Sequence, residues 1–131
     1  MIEAGQAPKK SKVVIMGLTF KENCPDSRNS KVNDIIKRLN KYGNMPVVID
    51  PWASEADAMH EYGIQLMKFE DVRDADCIIL AVAHNEFKAM GLDNIRKLYK
   101  PCADEEKVLI DVKGLYPVAE LKASGIRFWR L

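Results

Sequence analysis

Short apolar runs alternate along this chain with segments in which apolar residues recur at helical spacing. The first run, Lys12-Val13-Val14-Ile15-Met16, has no polar alternation, as expected of a strand covered on both faces in a parallel sheet. It stops at Gly17. Further on, Val32, Ile35, Ile36, Leu39 and Tyr42 lie on one helical stripe, with Asn29 or Ser30 as cap and Gly43 as stop. A second strand, Val47-Val48-Ile49, is closed by Asp50 and Pro51, and a shorter helix follows between Ser54 and Gly63, with Ala56, Met59 and Tyr62 as its expected inner face. Residues 64–67 read as a weak strand and residues 70–75 as one helical turn. Residues 77–82, Cys-Ile-Ile-Leu-Ala-Val, form the strongest apolar run and predict a central strand. Helical segments over 85–90 and 93–99, a strand over 108–110, a helix from Pro117 to Ala123 and a last strand over 126–129 complete the pattern.

Strands that alternate with helices throughout, joined by right-handed crossovers, give an α/β fold: a doubly wound, mainly parallel, Rossmann-like sheet with helices on both faces, in three layers. Residues 1–11 lack a core pattern and read as a linker or the end of a preceding helix, leaving 12–131 as one domain. The length of 131 residues, 47% hydrophobic and 30% charged, suits one soluble globular core. A net charge of +1 gives no global field for nucleic acid or an anionic membrane, so any anion must be bound locally. With no spanning run and no signal-peptide layout, a cytoplasmic location is expected. The three cysteines, Cys24, Cys77 and Cys102, have no metal-ligand spacing and read as free thiols; neither a metal nor a catalytic residue is expected.

In a doubly wound sheet the ligand crevice lies at the carboxyl ends of the strands. Here those ends carry Gly17 to Lys21, Asp50, His84 with Asn85, and Asp111 to Gly114. Gly17 is followed by Leu18, Thr19 and Phe20, so the first turn lacks the GxGxxG pattern that brings a dinucleotide pyrophosphate close to the backbone. It offers instead an aromatic ring at Phe20, a flexible cation at Lys21 and the start of a helix, a combination suited to a nucleotide with a flat base and a charged tail.

The strings GLTFKENCPDSRNSKV, VVIDPW, AVAHNEFKAM and LIDVKGLYP, in that order, closely resemble the C-terminal domain of the UDP-glucose/GDP-mannose dehydrogenase family of nucleotide-sugar 6-dehydrogenases. The resemblance spans residues 11–131 and is greatest to members that oxidise UDP-N-acetylhexosamines for capsule and O-antigen synthesis. It implies a domain that binds the UDP part of a UDP-sugar, closing a cleft whose NAD-binding and central catalytic domains belong to the rest of a homo-oligomeric parent enzyme. By the resemblance, Phe20 and Lys21 contact the UDP-sugar, Lys113 stands where several relatives place a substrate-contacting arginine, and Arg28 reaches the NAD pyrophosphate. As an isolated fragment the chain is then expected to be inactive.

Plainer readings stand beside these. Lys21 could be a solvated lysine and Phe20 a core residue. Arg28 precedes a helix, where the dipole disfavours a cation, which argues for an anionic partner. Cys24 has no identifiable activating group, and Cys77 reads as core. His84 is either a ligand-polarising group or a structural hydrogen-bonding histidine. Asp50 reads as a cap on the following turn and Asp26 as support for Arg28 or the helix, while Trp52, Phe128 and Trp129 read as packing or interdomain residues. Two alternatives to a nucleotide-sugar domain remain: a receiver-like module using Asp50 and Lys113, which lacks the expected acidic pair after the first strand, and a folding or interface domain without ligand.

Overall fold

The structure is a computed structural model; it describes residues 12–18, 32–82, 84–101, 103, 106–112 and 114–130. Five strands, β1 (Val13–Met16), β2 (Val47–Ile49), β3 (Cys77–Leu80), β4 (Val108–Asp111) and β5 (Arg127–Arg130), pair in parallel in the order β2-β1-β3-β4-β5. Four α-helices join them: α1 (Val32–Lys41), α2 (Glu55–Tyr62), α3 (Asn85–Arg96) and α4 (Val118–Ser124).

The apolar runs explain this arrangement. Every residue of β1 and β3 is buried, and alternate side chains feed two separate cores. Val14, Met16, Ile78, Leu80 and Leu109 pack with α3 and α4 on one face. Val13, Ile15, Cys77, Ile79 and Val108 pack with α1 and α2 on the other. A strand sandwiched in this way has no solvent side, hence no polar alternation. The expected three-layer, doubly wound architecture is therefore the one observed.

Several elements differ in detail from the sequence pattern. The inner face of α2 is Ala58, with Tyr62 half-buried, whereas Ala56 and Met59 are exposed. The helix touches the sheet along an i, i+4 row, while the apolar residues 56, 59 and 62 follow an i, i+3 row that rotates away from it. Residues 64–67 contribute one parallel bridge, Leu66 to Val48, in place of a strand. The helical turn expected over 70–75 is a 3-10 turn at Phe69–Asp71. The two helical segments expected after β3 form one element, α3, kinked at Gly91 (φ 76°, ψ 160°), a conformation open to glycine at little cost. The caps of α2 are as its sequence predicts: the Ser54 hydroxyl accepts from Asp57 N at 3.3 Å, and Gly63 closes the helix in the left-handed region. Pro117 occupies the N-cap of α4, one residue ahead of the first turn expected for it. The caps expected for α1, Asn29 and Ser30, lie outside the described residues.

No helix among the described residues is long and apolar enough to cross a membrane.

Candidate functional site

The strand order reverses between β1 and β3, so the crevice expected of this topology opens where those two strands end. Three backbone hydrogen bonds grip the chain there. Gly17 N donates to Ile49 O at 2.8 Å, and Ala81 N and Val82 N donate to Met16 O at 3.0 and 3.3 Å. Gly17 has φ +112°, and a Cβ on it would lie 2.5 Å from Val82 Cβ and 2.9 Å from Val82 N. Glycine is required twice over, by the backbone angle and by the close approach of β3.

The next residue is pinned by a side chain from another strand end. Leu18 N donates to Asp50 Oδ2 at 2.6 Å, and the same oxygen lies 3.0 Å from His84 Nε2. Asp50 Oδ1 accepts from Trp52 N (2.7 Å) and Ala53 N (3.0 Å), so the carboxylate also caps its own turn. Both side chains of the Asp50–His84 pair are fully buried. Backbone amides can only donate, so Asp50 acts as an acceptor toward each, and the His84 tautomer with its proton on Nε2 donates to that same carboxylate. The Trp52 ring stacks on His84 with centroids 6.2 Å apart and planes 26° apart, while Phe87 meets it edge-on at 5.5 Å. Trp52 is held in turn by Glu86, whose Oε1 accepts from the indole N–H at 2.9 Å.

A second buried aspartate closes β4. Asp111 accepts from Leu115 N (2.9 Å) and Tyr116 N (3.1 Å), and the Tyr116 hydroxyl donates to Phe87 O at 2.7 Å. Burial, reinforced by the Asp111 and Glu120 carboxylates, raises the Tyr116 phenol above its ordinary value, so it remains a protonated donor.

Beyond Asp50, on the β2 side, lies a cleft of about 500 Å³. Ile49, Leu66, Phe87 and Met90 give it apolar walls, and Glu55, Glu70 and Glu86 outnumber Lys68 among its charged side chains. That balance repels a diphosphate.

Of the residues assigned from the sequence, Phe20, Lys21, Arg28 and Lys113 lie outside the described residues, as do Cys24, Asp26 and Cys102. Their immediate neighbours Leu18, Val32, Val112 and Gly114 are described. His84 follows its structural reading: it is buried on Asp50 and does not face open solvent. Asp50 caps its turn as expected, and reaches much further. Cys77 is core, and burial pushes its thiol up to about 12, which leaves it inert. Trp52 packs on His84, while Phe128 and Trp129 are half-buried, one against each core. Among the described residues no cluster of metal-ligating side chains occurs. A receiver-like use of Asp50 as phosphoacceptor requires an accessible carboxylate, and this one is enclosed and bonded on both oxygens.

The Asp50–His84 contact and the Trp52–Glu86 bond across it were not derivable from spacing. Aspartate and histidine each stand directly after an apolar strand, which puts both at the same end of a parallel sheet. Their meeting depends on strand order.

A sequence model of the UDP-glucose/GDP-mannose dehydrogenase family, UDP binding domain, matches residues 14–117. The chain belongs to this family. Among curated relatives, a UDP-N-acetyl-D-glucosamine 6-dehydrogenase of Pseudomonas aeruginosa is 55% identical over 105 residues, covering 80% of this chain and 24% of the relative. A Salmonella typhi protein of the same name is 39% identical, over 92% of this chain and 27% of its own length. Protein CapL of Staphylococcus aureus is 35% identical over all of this chain and 30% of its own. The chain thus spans roughly a quarter to a third of these relatives. The fold matches that of an NDP-N-acetyl-D-galactosaminuronic acid dehydrogenase from Methanosarcina mazei Go1 (TM-score 0.83, 23% identity, 98% of this chain and 26% of that one). It also matches a UDP-D-ManNAc dehydrogenase from Pyrococcus horikoshii (TM-score 0.73, 22% identity, 98% and 27%).

Proposed function

We propose that residues 12–131 are the C-terminal, UDP-sugar-binding domain of an NAD-dependent nucleotide-sugar 6-dehydrogenase that oxidises a UDP-N-acetylhexosamine, and that residues 1–11 lead in from the parent's preceding domain. The observation that carries this reading is the family match over residues 14–117. The 55% identity to a UDP-N-acetyl-D-glucosamine 6-dehydrogenase favours an N-acetylhexosamine as the sugar. In this reading the parent is a cytoplasmic homo-oligomer that supplies the remaining domains.

The chemistry of the site follows from what stands at the β1–β3 end. Gly17 N and Leu18 N donate to Ile49 O and Asp50 Oδ2, and Met16 O accepts from Ala81 N and Val82 N, so four hydrogen bonds fix the strand end and the segment that follows starts from a rigid point. Phe20 then serves as a packing surface for a flat base and Lys21 as a charge for the diphosphate, with Lys113 reaching from the end of β4. Rigid origin and flexible cation together suit recognition of an anion whose tail lies along a crevice.

NAD does not fit the described residues of this chain. The turn at Gly17 closes against Val82, and the second glycine that a GxGxxG turn needs for the approach of a pyrophosphate is replaced by Thr19 in the sequence. The cofactor, which accepts hydride in such dehydrogenases, belongs to another domain of the parent, and Arg28 is this chain's proposed contact to its pyrophosphate. The domain itself binds and orients; it performs no redox step.

Titrating the 131-residue chain with UDP, followed by amide NMR, tests the reading. Shifts at Gly17, Leu18 and Gly114, larger for UDP than for uridine, are expected. Shifts confined to Met67 and Phe69 in the acidic cleft, or none, would overturn it.

A further inference from the structure

We infer that Asp50 and His84 are a positioning pair for nucleotide binding: they fix where the segment bearing Phe20 and Lys21 leaves the sheet, without contacting the ligand. The inference rests on the nucleotide-binding reading above.

The geometry that carries it is the sharing of one oxygen. Asp50 Oδ2 accepts from Leu18 N, the last described amide before that segment, and from His84 Nε2. Strands β2 and β3 are not neighbours, because β1 lies between them. The pair therefore bridges over the end of β1 and ties both sides of the switch point to the residue that starts the ligand segment.

The arrangement is over-determined in the manner of a positioning element. Asp50 cannot rotate without releasing Trp52 N and Ala53 N from its other oxygen. His84 is the N-cap residue of α3, yet its side chain makes no capping bond; its carbonyl serves the helix, accepting from Phe87 N and Lys88 N, while the ring turns to Asp50. Trp52 and Phe87 enclose the ring, and Glu86 secures Trp52. Water is excluded from both side chains. A hydrogen bond enclosed from water holds its donor closely, and a displacement of Leu18 N carries over to the residues that follow it in the chain.

The test compares His84→Leu, His84→Gln and Leu121→Ala in the 131-residue chain with wild type. Leu121 is buried on α4, away from the pair, and controls for general destabilisation. The readouts are UDP affinity, hydrogen exchange of the Leu18 amide, and thermal midpoint. His84→Leu is expected to weaken UDP binding about tenfold and to accelerate Leu18 exchange by a similar factor, the size of one buried hydrogen bond. His84→Gln keeps an N–H donor at comparable reach and is expected to recover both to within about threefold. Leu121→Ala is expected to lower the midpoint with UDP affinity unchanged. If His84→Leu lowers the midpoint while UDP affinity and Leu18 exchange stay at wild-type values, the pair is merely structural and the inference is overturned. If wild type shows no response to UDP, the nucleotide-binding reading itself has failed; Leu18 exchange that still quickens in His84→Leu then assigns the pair to loop anchoring alone and overturns its role in binding.

Discussion

Two buried aspartates close two strands of this sheet, and they work at different ranges. Asp111, at the end of β4, accepts from Leu115 N and Tyr116 N, partners four and five residues away. Asp50, just past β2, accepts from Trp52 N and Ala53 N close by, but also from Leu18 N and His84, 32 and 34 residues distant. The first shapes its own loop; the second joins three strand ends. The same side chain in the same sheet position becomes local or global according to what the topology brings within reach. At the edge-proximal β4 end the nearest amides belong to the following loop, whereas at the centre the reversal of strand order brings two foreign segments over β1.

The sharpest way to break this comparison is to truncate both aspartates. Asp50→Ala leaves Leu18 N, Trp52 N, Ala53 N and a buried imidazole without their acceptor, and is expected to cost about 3–5 kcal/mol in denaturant unfolding. Asp111→Ala strands two amides and is expected to cost about 2 kcal/mol. Equal losses, or accelerated Leu18 exchange in Asp111→Ala, would show that the two ends are not distinct.

Gly17→Ala probes the junction from the backbone side. The added methyl would meet Val82 at 2.5 Å and the φ of +112° disfavours any side chain. A loss of about 2–4 kcal/mol is expected, combining overpacking with backbone strain. A variant as stable as wild type would mean that the β1 and β3 ends separate freely, contrary to a rigid origin for the ligand segment.

The smallest effect sharpens the local side. Because the folded-state value of Tyr116 is raised above the usual 10.0, the unfolded chain releases this proton first as pH rises. Stability supplied by the neutral phenol is therefore complete below pH 10 and declines above it. Tyr116→Phe is expected to flatten that alkaline decline in thermal midpoints while leaving UDP binding unchanged. An unaltered alkaline slope would remove the assigned cause.

Much of the fold was legible in the sequence because the sheet is buried on both faces. Continuous apolar runs such as Val13–Met16 and Cys77–Leu80 have one reading once helices stand between them. Ser54 and Gly63 marked the limits of α2 through chemistry local to each residue. Failures came where local chemistry was ambiguous. Ala56, Met59 and Tyr62 offered a plausible stripe on α2, but the contact row was decided by how the helix lies on the sheet. Residues 64–67 had strand-like composition and an edge position that needed one bridge.

The sequence alone determined the alternation of elements, the buried character of the central strands, the absence of a dinucleotide turn at Gly17, and the motifs of a nucleotide-sugar dehydrogenase family. The strand order β2-β1-β3-β4-β5 was decided by tertiary packing, and with it the partnership of Asp50 and His84 over the end of β1. Spacing along a chain records which residues end strands. Which of those ends meet depends on the strand that lies between them, and that is a property of the assembled sheet.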